Sequence, residues 1–156
     1  MSERTVNDEN ESYNERLTRN VSELLSELRV AQAGVQILFG FLLSVVFTQT
    51  FRDASGFEKS LHLVAVLLAV ISTALLTAPA AWHRVLFREN RREEILRVGN
   101  PVVIAGLVSL AGALVVTVAL IAKVVFGPIA MALVGPVVLI LFVVLWFVIP
   151  ARLRRR

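Results

Sequence analysis

The chain has 156 residues, of which 56% are apolar, 16 are Lys or Arg, 12 are Asp or Glu and none is Cys. Its mean hydropathy of +0.74 and formal pI of about 10.6 exclude an ordinary soluble enzyme, a disordered chain and a disulfide-built secreted module, each of which needs a different balance of apolar, charged and cysteine residues. The charge is gathered into short blocks that leave four charge-free intervals, 30–51, 60–83, 98–122 and 124–151, each long enough for a bilayer span of about 20 residues.

Residues 1–14 are polar and carry Glu3, Asp8, Glu9 and Glu11, a balance opposed to the positive start of a cleavable signal peptide. They read as a disordered tail. From residue 15 onward Leu17, Val21, Leu24, Leu28 and Ala31 recur at three- and four-residue steps, which predicts an amphipathic helix leading into the first span. Ser12 with Glu15 and Asn20 with Glu23 have the spacing of a helix-starting capping box. Gly34 is the point where that helix can bend as it enters the membrane.

The first span, about 30–51, aligns Arg29, Gln36, Gly40, Ser44 and Thr48 near one helical face. Arg29, Gln36 and Ser44 are a candidate transport path. The alternative is that the polar side chains hydrogen-bond neighbouring helices while Gly40 permits close backbone contact.

The second span, about 60–82, places Ala65, Ala69, Thr73, Thr77 and Ala81 at four-residue steps. The third, about 99–123, does the same with Ala105, Ser109, Ala113 and Thr117, beside Gly106 and Gly112. Small residues let helix backbones approach in lipid, so both lines predict packing surfaces. Between these spans, Arg84, Arg88, Arg91, Arg92 and Arg97 accompany Leu86, Phe87, Ile95 and Leu96, the make-up of an interfacial helix whose arginines meet lipid phosphate, including that of anionic lipids. Asn90 and Glu93 are its candidate cap.

A turn at Phe126-Gly127-Pro128 leads to the fourth span, about 128–150, with Lys123 beside the turn and near enough to the interface to snorkel outward. Pro136, after Gly135, predicts a kink within that span. Residues 152–156 form a basic tail. Thirteen of the sixteen Lys and Arg fall in the amino tail, the middle loop and the carboxyl tail, leaving Arg52, Lys59 and Lys123 for the opposite side. Positive residues favour the cytoplasm, so both termini are expected there. The same topology accounts for the high pI without a nucleic-acid partner.

The span interiors contain no Asp, Glu, Lys or Arg, whereas proton-coupled carriers commonly use an ionisable relay in the membrane. His62 and His83 lie at opposite ends of one span, so they form no pair and no metal-ligand spacing. Phosphate-loop and nucleophile-elbow motifs are lacking as well. A non-enzymatic protein without metal or cofactor is expected.

The segment Arg29-Val-Ala-Gln-Ala-Gly-Val-Gln-Ile-Leu-Phe-Gly-Phe-Leu-Leu, with Ala81-Trp-His-Arg-Val-Leu-Phe-Arg and the arginine-rich loop after it, resembles a family of small actinobacterial integral membrane proteins of unknown function. The resemblance spans roughly residues 15–150. It implies four spans behind an acidic amino tail and, because some members carry a sodium:proton antiporter label, cation exchange.

The fold expectation is all-α: a four-helix transmembrane bundle with an N-terminal amphipathic helical extension, one membrane domain over 15–151, multi-pass in the cell membrane and assembled as a homo-oligomer. The functional expectation is a structural or modulatory role through helix packing and contact with membrane lipids. The alternative is a small oligomeric transporter of cations or solutes, cation/proton exchange included.

Overall fold

Backbone N–H and C=O groups inside a bilayer have no water to bond, so a charge-free run of this length is stable there as a helix, which satisfies them within the segment. The computed structural model describes residues 26, 28–86 and 92–154, and the protein is all-α. Among the described residues, four helices are long and apolar enough to cross a membrane: α1 (Leu28–Val45), the span Gly56–Trp82, the span Gly99–Phe126 and the span Pro128–Leu153. A short helix α2 (Gln49–Arg52) follows α1, and the second span belongs to α3 (Gly56–Leu86). The third belongs to α4 (Arg92–Phe126), and the fourth is made of α5 (Pro128–Val143), a π-helical turn (Val144–Val148) and α6 (Ile149–Leu153). The predicted amphipathic extension before residue 26 and its two capping boxes lie outside the described residues. Its last members, Leu28 and Ala31, belong to α1 and pack into the core.

Several boundaries differ from the sequence expectation, each for a local reason. α1 stops at Val45 rather than near residue 51, and Thr48 then caps α2, its hydroxyl accepting from the Phe51 N–H at 3.3 Å. α3 starts at Gly56 rather than near residue 60 because Ser55 and Glu58 form a capping box. The Ser55 N–H donates to Glu58 Oε2 at 2.7 Å, and the Glu58 N–H donates to Ser55 Oγ at 3.3 Å. Residues 92–98, expected in a separate interfacial helix, are the first turns of α4 itself. α1 runs through Gly34 without a break.

The fourth span departs from regularity at a different proline from the one expected. The helix continues through Pro136, and the wide turn falls at Val144–Val148, just before Pro150. A proline ring crowds the carbonyl four residues back, here that of Trp146, and a π turn moves that carbonyl out of the way. Gly127, at φ 95°, makes the turn between α4 and α5 in a conformation that favours glycine, and Pro128 begins the next helix at a position where its missing N–H costs nothing.

The core sits between α1, α3 and α4. Leu28, Val35, Leu38 and Leu42 of α1 pack with Ala65, Ala69 and Leu76 of α3 and with Val103, Leu110 and Ala113 of α4. α5 lies on the other side of α4, where a Cβ built on Gly135 would stand 3.3 Å from Ala119 Cβ. Burial is unequal: 39% of the apolar window of the α4 span is buried against 6% for the fourth span. α4 is therefore the central helix and the fourth span an outer one.

Candidate functional site

The polar residues of the spans divide by what they bond. Thr73, Thr77, Ser109 and Thr117 each donate to the carbonyl four residues back on their own helix, at 2.7–2.9 Å. Ser44 and Thr48 donate to Phe41 and Val45, three residues back. Such bonds satisfy a hydroxyl in lipid without joining helices. Among the described residues, two uncharged side chains do join helices. Ser72, fully buried on α3, donates to the Gly106 carbonyl of α4 at 2.8 Å, and Gln32 of α1 donates to the Leu76 carbonyl of α3 at 3.0 Å. A carbonyl has two lone pairs, so each of these bonds can coexist with the helix's own.

The candidate packing residues separate in the same way. Ala65, Ala69 and Ala113 are completely buried, Ser109 and Gly112 are half-buried, and Gly40, Thr73 and Ala105 are exposed. The contact face of α3 runs through His62, Ala65, Ala69, Ser72 and Leu76, and that of α4 through Val103, Gly106, Leu110, Ala113 and Thr117. These steps alternate three and four. A line of strict four-residue steps advances by about 40° each time and soon leaves the facing helix, while alternating steps stay beside it. That geometry explains why Ser72 and Gly106 occupy the tightest contact and Thr73 and Ala105 do not.

The candidate transport residues Arg29, Gln36 and Ser44 are all exposed, on the outward face of α1 that also carries Gly40. Gln36 makes no side-chain hydrogen bond within the described residues, and a Cβ on Gly40 would meet nothing within 4 Å. Among the candidate lipid-contact residues, Arg84 is exposed, while Arg88 and Arg91 lie outside the described residues. Arg92 and Arg97 fall in the first turns of α4.

Where α1 ends early, α3 and α4 continue past it, and the gap forms a cavity of about 130 Å³. Its walls come from Phe41 and Leu42 of α1, Phe51 of α2, His62 of α3, and Thr117 and Leu120 of α4. His62 is 4% exposed, and its Nε2 is buried without a hydrogen-bond partner among the described residues. Its ring meets that of Phe51 edge-on, with centroids 4.8 Å apart. At the rim, Lys123 Nζ lies 3.2 Å from Glu58 Oε1 and 4.6 Å from the centre of the Phe57 ring. Lys123 thus ties the end of α4 to the start of α3 instead of reaching only outward. Sequence spacing gave no sign of this cavity, because its walls are separated along the chain and His62 has no partner at ligand spacing. Among the described residues no group of three or more His, Asp or Glu is placed to hold a metal ion.

A model for a family of unknown function (DUF6328) matches residues 10–150, so the chain belongs to that family. No curated protein matches the chain, and no solved structure does.

Proposed function

From membership of this family, and from a fold that is all-helical and membrane-embedded, we propose that the protein is a non-enzymatic membrane component that works by helix packing and lipid contact, assembled from copies of itself. The observation that carries this reading is the division of polar groups just described. Ser72 and Gln32 join helices within the chain, whereas Gln36 faces outward beside Gly40 and its amide has no hydrogen bond among the described residues. An amide facing lipid gains a hydrogen-bond partner when a second helix docks there, and glycine one turn away allows the backbones to approach. The Arg29, Gln36, Gly40 and Ser44 face of α1 is then the subunit contact. Ala69 and Ala113 are engaged inside the chain. Both termini and the arginine-rich loop lie on the cytoplasmic side, where Arg84, Arg88, Arg91, Arg92 and Arg97 attract anionic headgroups.

Counting subunits in bilayers by single-molecule photobleaching tests the assembly. Gly40→Leu is expected to lower the subunit number without loss of helicity, since a side chain at Gly40 meets nothing of its own chain. An unchanged subunit number removes this face as the contact.

The second reading is a small oligomeric cation or solute transporter, cation/proton exchange being the form implied by the family resemblance. The outward placement of Arg29, Gln36 and Ser44 supports a path between subunits rather than through one. In proteoliposomes with an imposed sodium or pH gradient, this reading expects flux that Gln36→Leu abolishes at equal incorporation. Flux unchanged by the substitution takes Gln36 out of the path.

A further inference from the structure

We propose that the cavity at the end of α1 binds a hydroxyl-bearing apolar group about the size of one six-membered ring, such as a phenol or a cyclohexanol, with the hydroxyl on His62 Nε2. Three observations lead there. First, His62 Nε2 is buried in the wall and unpartnered among the described residues, and a buried polar atom left without a hydrogen bond is costly enough to favour any ligand that supplies one.

Second, apart from the exposed Thr50, the other polar groups of the wall are already engaged. Thr117 donates to Ala113, and Thr48 donates to Val45 while accepting from Phe51. Glu58 accepts from Ser55 and pairs with Lys123. A water molecule is held well by two to four polar partners. In this wall it would find mainly His62, so an occupant that brings its own apolar body fits better.

Third, the volume of about 130 Å³ is close to that of apolar protein cavities of about 150 Å³ that take up benzene. The edges of Phe41 and Phe51 and the side chains of Leu42 and Leu120 suit a flat or compact ring. A hydroxyl both donates and accepts, so it satisfies Nε2 in either tautomer of the imidazole, which a ketone or an ether cannot do.

The test uses the full chain in nanodiscs of saturated phosphatidylcholine and follows the ¹⁹F resonance of 4-fluorophenol, with 4-fluoroanisole as the analogue lacking the donor. The expected result is saturable binding of 4-fluorophenol, competed by phenol, with 4-fluoroanisole at least about tenfold weaker, the factor that corresponds to loss of one good hydrogen bond to a buried group. His62→Leu should weaken 4-fluorophenol by a similar factor, and His62→Gln should restore part of the loss because its amide again offers a polar atom. Ser109→Ala, whose hydroxyl bonds only its own helix away from the cavity, should change binding by less than about twofold.

Leu120→Phe, which fills the cavity and leaves His62 in place, should abolish binding. Circular dichroism and elution volume verify that each variant is folded. Equal binding of phenol and anisole, binding unchanged by His62→Leu, or no saturable signal in the folded wild type would each overturn the proposal.

The same chemistry has two sources, and mass spectrometry of lipids co-purifying with wild type and with His62→Leu separates them. A hydroxylated lipid carried only by the wild type assigns the site to a membrane lipid. Without such a lipid, saturable fluorophenol binding assigns it to a free small molecule. The result is independent of the subunit count, so it stands or falls separately from the proposed assembly.

Discussion

Gly106 is the position where a single carbon matters most. A Cβ there would lie 2.9 Å from Leu76 Cδ2 and 3.2 Å from Leu75 Cβ, with Leu76 itself fully buried. Overpacking of this kind costs about 1–3 kcal/mol, so Gly106→Ala should lower unfolding stability by that amount in a steric-trapping or denaturant titration. Gly112→Ala provides the contrast. Its Cβ would meet only the Leu68 side chain, at 3.3 Å, and Leu68 is half-buried with room to turn. A loss of stability for Gly112→Ala equal to that for Gly106→Ala would contradict this account. The Ser72 bond to the Gly106 carbonyl acts at the same contact and is worth about 0.6 kcal/mol, as is usual for hydrogen bonds between helices in lipid.

At the scale of the helix, the start of α3 shapes the end of the molecule that holds the cavity. Ser55 and Glu58 satisfy amides that the first turn would otherwise leave free. Ser55→Ala removes the hydroxyl from that cap and is expected to cost about 0.5–2 kcal/mol, with faster hydrogen exchange confined to the first turn of α3. Lys123→Met breaks the pair with Glu58, whose partners are each about one-fifth exposed. Solvent reaches and screens this pair, so its effect on exchange in that turn should be the smaller of the two. The reverse order would mean that the ion pair, not the cap, holds α3 in place. α1 adds the other half of the arrangement by ending at Val45. α2 follows the turn after α1 and supplies Phe51 to the cavity.

Across the whole molecule, α4 is packed by α1 and α3 on one side and by α5 on the other, while the fourth span leaves most of its apolar surface outward. A helix with so little burial in its own chain is stabilised chiefly by the surrounding lipid and by its internal hydrogen bonds. The orientation prediction belongs to this scale. Cysteines introduced at Ser2 and Arg156 should react with a membrane-impermeant maleimide only after the cytoplasmic side is opened. Labelling of either one in intact cells would reverse the proposed topology.

The number of spans, the helical class and the charge asymmetry were legible in the sequence, because the cost of placing charge and unbonded backbone in hydrocarbon acts on every residue of a span separately. The cap at Ser55 and Glu58 was equally local and could have been read from its spacing, as could the crowding caused by Pro150. The tertiary structure alone decided which small residues meet. Strict four-residue lines pointed toward Thr73 and Ala105, whereas the helices touch along steps that keep Ser72 against Gly106. It also decided that Gln32 joins two helices while Gln36, four residues on, faces outward, a difference set by where α3 lies beside α1. The His62 cavity depends in the same way on one helix ending before its neighbours. Relative position in space, which no single segment encodes, is what turned one histidine among apolar residues into a candidate binding site.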